Sequence, residues 1–238
     1  MAALASLGDI YVNEAFAVSH SKNASVCAIT DYLPSYAGLL LEKEITALDE
    51  IIRSKKQPLV AILGGAKVKD KLPVIERFLH KASYILLGGG IANTFAKAKG
   101  LNIGQSLYKP AMVRKARHLL HKKNIIIPFD FMLEKDRILD IGPLTAARFA
   151  GIISKARVVF WNGPLGYFED KRFKKGSEAV ARAIAESRAF SVVGGGETTQ
   201  LIRELHLEKR IDFLSTGGGA MIEYLAGKKL PGIEALKN

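Results

Sequence analysis

The chain has 238 residues, 48% hydrophobic and 24% charged, which suits a globular protein with one full α/β domain and something attached. A lone Cys27 excludes an intrachain disulfide framework, and the five histidines (His20, His80, His118, His121, His206) show no metal-ligand spacing, which argues against zinc. The formal charge of +12 favours anionic partners, either a nucleic acid or a polyphosphate nucleotide.

The chain opens without a signal-peptide pattern, and no apolar run approaches the roughly 20 residues of a membrane span, so a soluble cytoplasmic protein is expected. Residues 9–13 read as a strand, followed by an irregular stretch to Pro34. Residues 36–56 read as one amphipathic helix with an apolar stripe of Leu40, Ile45, Leu48 and Ile52. From residue 57 a single pattern recurs: an apolar run, a glycine-bearing turn, then a helix. The runs are residues 58–63, 84–87, 158–161, 190–193 and 212–215. Uninterrupted apolar strands alternating with helices predict a parallel sheet covered on both faces.

Right-handed crossovers place every strand-to-helix turn of such a sheet at its carboxyl edge, where open α/β sheets bind ligands. Five glycine-rich turns are therefore expected on one rim: Gly64-Gly65, Gly88-Gly89-Gly90, Gly163-Pro164-Leu165-Gly166, Gly194-Gly195-Gly196 and Gly217-Gly218-Gly219. A triple glycine lets backbone approach a phosphate, and the following helix offers free N–H groups. Lys67 and Lys71 lie one helical turn apart beside the first glycine pair, spaced to reach separate phosphates of one chain. An arbitrary pair at that spacing is ordinarily solvated, but placement on a glycine-turn helix reverses the preference. Glu197 opens the helix after Gly196; it is either a first-turn acid or a holder of Mg²⁺ bridged to phosphates. Asp70 is a local charge partner or a group behind the metal, and Glu169 an acceptor for ribose hydroxyls or an exposed loop acid.

Other nucleotide and hydrolase signatures are missing. There is no Gly-x-x-x-x-Gly-Lys-Ser/Thr, no third glycine of a dinucleotide fingerprint and no Gly-x-Ser-x-Gly elbow. The basic residues are dispersed in pairs (Lys122-Lys123, Lys174-Lys175, Lys228-Lys229) without interleaved aromatics, so no nucleic-acid partner is expected.

Several segments resemble phosphoglycerate kinase motifs, in family order: Gly64-Gly-Ala-Lys-Val-Lys-Asp-Lys71, Leu87-Gly-Gly-Gly-Ile-Ala-Asn-Thr-Phe95, Trp161-Asn-Gly-Pro-Leu-Gly-Tyr-Phe-Glu169, Gly194-Gly-Gly-Glu-Thr198 and Ser215-Thr-Gly-Gly-Gly-Ala220. Asp140-Ile-Gly-Pro143 and Leu230-Pro-Gly-Ile233 match as well. The resemblance implies reversible phosphoryl transfer between 1,3-bisphosphoglycerate and Mg-ADP, giving 3-phosphoglycerate and Mg-ATP in glycolysis. Lys67 and Lys71 would hold nucleotide phosphates and the transferring group, and Glu169 the ribose. Gly88, Gly89, Gly142, Asn162, Gly163, Pro164 and Gly166 would shape the adenosine site. Glu197 would take the metal position, joined by Asp70, with Thr198 near the phosphates. Gly195, Gly196 and Gly219 would donate N–H groups, making Lys71, Gly196 and Gly219 the groups expected at the transferring phosphoryl.

The resemblance also marks departures. The family has an N-terminal domain that supplies most of the basic residues gripping the sugar acid, and the match begins near that domain's end. Ser21 stands after His20 where the family has arginine; Lys22 beside it lacks the bidentate fork. Glu197 stands in place of aspartate. The expected architecture is a Rossmann-like three-layer α/β domain with a parallel sheet (57–238). An interdomain helix (36–56) and a remnant of a second α/β domain (1–35) precede it. The chain is expected to bind ADP or ATP, to reach the sugar acid only with a complementing N-terminal domain, and to be inactive alone. A non-catalytic nucleotide-binding remnant is the alternative.

Overall fold

A computed structural model describes residues 1–237. In chain order the helices and strands are α1 (Ala2–Ala5), β1 (Tyr11–Asn13), β2 (Ser35–Ala37), α2 (Leu39–Arg53), β3 (Leu59–Leu63), α3 (Val68–Phe78), β4 (Tyr84–Leu87) and α4 (Gly89–Ala98). They continue with α5 (Val113–Leu119), β5 (Ile125–Ile126), β6 (Phe131–Glu134), β7 (Arg137–Ile141), α6 (Pro143–Ile153), β8 (Val158–Asn162) and α7 (Lys175–Glu186). The last are β9 (Phe190–Gly194), α8 (Gly196–Glu204), β10 (Phe213–Ser215), α9 (Gly218–Leu225) and α10 (Pro231–Glu234).

Six strands form one parallel sheet in the order β10-β9-β8-β3-β4-β5. Every residue of β3 and β8 is buried, because their alternate side chains enter different cores. Leu59, Ala61, Leu63, Val158 and Phe160 face α2, α3, α4, α5 and α9. Val60, Ile62, Val159 and Trp161 face α6, α7 and α8. The three-layer α/β architecture expected from the apolar runs is therefore present. The chain runs outward from β3 through β4 to β5, then returns to β8 and proceeds the other way, so the order reverses between β3 and β8. The carboxyl edge above that reversal is where an open sheet leaves a crevice.

The helix expected over 36–56 is shorter than the sequence suggests. Ser35–Ala37 instead form β2, which pairs in parallel with β1, and α2 runs over Leu39–Arg53. Gly38 caps it in an extended conformation, and a side chain there would overlap Glu14. Glu14 itself, just past β1, accepts hydrogen bonds from Leu40 N–H (2.7 Å) and Leu41 N–H (3.1 Å), satisfying two of the free donors of α2.

The buried face of α2 also differs from the stripe read by hydropathy. Leu41, Leu48 and Ile51 are fully buried, whereas Ile45 and Ile52 are only partly so and Leu40 is exposed. The face is turned because Glu44, a carboxylate, lies fully buried on it. It accepts from Ser215 Oγ (2.8 Å), Thr216 N–H (2.6 Å) and Thr216 Oγ1 (2.7 Å), so its burial is compensated at the carboxyl end of β10.

The first residues pack onto the opposite end of the chain. Phe16 is fully buried against Gly217, and Gly232 N–H donates to Ser19 O at 2.9 Å.

Glu44→Ala removes the acceptor of three donors, of which the Ser215 hydroxyl is buried and the two of Thr216 lie nearer solvent. Urea unfolding of this variant is expected to show a loss of roughly 3 kcal/mol. Glu44→Gln keeps an acceptor and a group that a hydroxyl can turn to meet, and should lose distinctly less.

Candidate functional site

The strand order brings the ends of β3 and β8 side by side, and the two glycine-bearing turns that follow them interlock. Gly64 N–H donates to Asn162 O (3.0 Å), and Gly65 N–H to Pro164 O (2.7 Å). A side chain at Gly64 would overlap Pro164, so close backbone approach is what requires glycine at that position. Onto this junction comes Lys71 from α3. Its Nζ donates to Gly64 O and, at 3.2 Å, to Asn162 O. One ammonium thus spans the carboxyl ends of both central strands.

Two confluent clefts open above the junction, sharing Gly65, Ala66, Pro164 and Glu197. The first, about 300 Å³, is apolar. The loop Pro164–Glu169 forms one side of it, and Phe131, Ile138 and Leu139 of the β6–β7 hairpin form the other. The second, about 370 Å³, is polar and contains Lys67, Lys71, Asp70, Glu197, Gly163, Gly195, Gly196, Gly218, Gly219 and His20. Helices α8 and α9 begin at this cleft, so their unsatisfied N–H groups and positive dipole ends face it.

Burial dominates the electrostatics of Lys71, whose side chain is only 6% exposed. Desolvation pushes its ammonium down to about 8, against the pull of Glu197 and Asp70, while Lys67 lowers it further. Asp140, in the apolar cleft, moves the other way. Burial pushes its carboxyl up to about 7, opposed by hydrogen bonds from Gly176 N–H and Ile141 N–H and reinforced by Glu178.

Lys67, Asp70, Lys71, Asn162, Gly163, Pro164, Gly195, Gly196, Glu197 and Gly219 all line the polar cleft, and Gly89, Gly166 and Glu169 the apolar one. Three residues expected in contact with nucleotide stand behind the walls instead. Thr198 is fully buried, and its hydroxyl accepts Gly163 N–H at 2.9 Å, pinning the turn after β8 to the start of α8. Gly88 packs where a side chain would overlap Leu165. Gly142 caps α6 beside Asp130, which accepts from Leu144 N–H (2.9 Å) and Thr145 N–H (2.7 Å).

The sequence reading missed the hairpin wall and His20. The hairpin turns at Lys135 and Asp136, both at positive φ (47° and 62°), a two-residue turn without the glycine or asparagine that usually signals one. His20 reaches the polar cleft because Phe16 anchors its segment on α9, a contact separated by some 200 positions of chain that no local pattern reveals.

The phosphoglycerate kinase family model matches residues 1–228. The chain belongs to that family. Among relatives, the phosphoglycerate kinase of Thermomicrobium roseum is 41% identical over 99% of this chain, and that of Francisella philomiragia 42% over 98%. The chain spans 66% of the length of each. Solved phosphoglycerate kinase structures from Coxiella burnetii (TM-score 0.87, 37% identity) and Pyrococcus horikoshii (0.89, 36%) each superpose on 98% of the chain. It covers 67% and 65% of them, respectively. Family membership and fold are thus established for this chain.

Among the described residues no helix is long and apolar enough to cross a membrane.

The depressed value of Lys71 has a pH consequence. The unfolded chain holds this proton up to about 10.5 and the folded chain only to about 8, so stability rises with pH across that window. Lys71→Met, which has no proton to lose, should lack the corresponding part of the rise. The stability difference between the two proteins is expected to change by roughly 3 kcal/mol between pH 7 and pH 11, measured by denaturant titration. A constant difference across the window would contradict the burial of the charged ammonium.

Proposed function

We propose that this chain is the nucleotide-holding part of a phosphoglycerate kinase, transferring a phosphoryl group reversibly between 1,3-bisphosphoglycerate and Mg-ADP. The observation that carries this reading is the pair of confluent clefts of opposite chemistry at the sheet's reversal point, with the Lys71 ammonium at their junction. An adenosine is apolar on its faces and polar at its ribose; the apolar cleft offers Leu139, Leu165 and Phe131 to the base and Glu169 to ribose hydroxyls. The phosphates then run past Gly65 and Glu197 into the polar cleft, toward Lys67, Lys71 and the N–H groups at the starts of α8 and α9.

The donor set fits Mg²⁺ held mainly by the nucleotide. Glu197 borders both clefts with Asp70 nearby, and no group of three or more His, Cys, Asp or Glu side chains gathers around one point among the described residues. A small hard cation uses one or two carboxylates and completes its shell with phosphate oxygens and water. When bound, it would neutralise phosphate charge.

In the transfer, the bond between the acyl oxygen and phosphorus breaks as a β-phosphate oxygen of ADP bonds to that phosphorus. The carboxylate of 3-phosphoglycerate leaves. No proton need move and no protein nucleophile is required; the chain's task is to align the oxygens and offset their charge. Lys71 does both. Its ammonium is fixed by two backbone carbonyls, and an arriving phosphate restores the proton affinity that burial lowers.

The resemblance calls for an arginine beside His20 to hold the sugar acid, and Ser21 stands there instead. Isothermal calorimetry of the 238-residue chain should therefore detect Mg-ADP binding, while a coupled assay with 1,3-bisphosphoglycerate should give no ATP. Lys71→Ala should weaken ADP by about 1–3 kcal/mol, the cost of a charge-assisted hydrogen bond. Absence of ADP binding would overturn the nucleotide role, and turnover by the isolated chain would overturn the need for a complementing domain. Ser21 favours a second reading, a nucleotide-binding remnant without turnover. Supplying the N-terminal third of a family member separates the two, because only the first reading then yields ATP.

A further inference from the structure

The two walls of the apolar cleft come from segments far apart in sequence, the β6–β7 hairpin and the loop Pro164–Glu169. They touch directly through one backbone hydrogen bond at the wall, from Tyr167 N–H to Leu139 O (2.6 Å). Behind that bond lies the first turn of α7, and both walls are fastened to it. On the hairpin side Asp140, 2% exposed, accepts from Gly176 N–H at 2.8 Å with one carboxylate oxygen and from Ile141 N–H at 2.8 Å with the other. On the loop side the fully buried Ser177 accepts from Leu165 N–H at 2.8 Å.

Glycines surround the carboxylate. A side chain at Gly176 would come within 2.7 Å of Asp140 Oδ1, and one at Gly166 would overlap it. The loop backbone therefore rests against Asp140 itself. A carboxylate so enclosed has no access to a second arrangement, and displacing it shifts strand, loop and helix together.

We infer that Asp140 is a positioning residue for the nucleoside side of the site: with Ser177 it sets the separation of the two apolar walls by tying both to the start of α7. The inference rests on the nucleotide reading above. It assigns to this hub the grip on base and ribose, and leaves the grip on phosphates to Lys67, Lys71 and the ends of α8 and α9. The two halves of the ligand should thus respond separately.

The test is calorimetric titration of wild type, Asp140→Asn and Ser177→Ala with adenosine, ADP and inorganic pyrophosphate. Asparagine keeps the volume but turns a donor toward one of the two N–H groups. Asp140→Asn should weaken adenosine and ADP about tenfold, the effect of one lost hydrogen bond, and leave pyrophosphate within about twofold. Ser177→Ala, which removes a hydroxyl only, should show the same split at smaller size and keeps the test open if the first variant does not fold. Equal losses for all three ligands, or unchanged adenosine affinity, would overturn the positioning role. A wild type that binds pyrophosphate but neither adenosine ligand would instead overturn the nucleotide reading, and the inference with it.

Discussion

Two strands that end side by side leave their last carbonyl oxygens facing one another above the sheet, and the placement of one ammonium group on them organises the rim. Lys71 reaches Gly64 O and Asn162 O from α3, so a cation sits where two chain reversals meet. Taking that charge out of water is costly, which is why its proton affinity falls toward 8. Carbonyl dipoles compensate part of this cost, and the acids Glu197 and Asp70 another part. A polyanion in the adjacent cleft would complete the compensation. The site is thus electrically incomplete in the way an anion-binding site should be, with its positive groups held by the scaffold before any ligand arrives.

Around that point the walls are set by close backbone contacts and by side-chain acceptors that hold the turns in place. Gly65 approaches Pro164, Gly163 is fixed by Thr198, and the hairpin meets the 164–169 loop at Tyr167 and Leu139. This explains why the turns are glycine-rich without every glycine touching ligand. Gly64 and Gly88 are needed for packing between turns, whereas Gly195, at φ 99°, makes the reversal into α8. Thr198 belongs with the first group. Its place in a motif suggested phosphate contact; in the structure its hydroxyl is buried and accepts from Gly163 N–H, holding the motif's neighbour.

The central sheet was legible because β3, β4, β8 and β9 are apolar on both faces and each runs into glycine. Connection rules then put the glycine turns on one edge, whereas the strand order and its reversal between β3 and β8 came only with the structure. The α2 face was misread because hydropathy assigns Glu44 to solvent, and only its three donors at Ser215 and Thr216 make its burial tolerable. The hairpin wall escaped notice because Lys135 and Asp136 adopt left-handed conformations that polar residues seldom announce. What eluded the reading in each case is a long-range partner or an unusual backbone state, neither of which leaves a local periodicity. Lys67, Lys71 and Glu197 could be singled out from sequence because each lies beside a glycine turn, and the structure places all three on one cleft.

The carboxylate of Glu14 joins the first strand to the beginning of α2, and that of Glu44 joins the middle of the same helix to the end of β10. Between them α2 acts as a rigid rod with a grip at two points along its length. The β1–β2 pair and the Thr216–Gly219 turn are thus tied to a single helix through two carboxylates rather than through apolar packing alone.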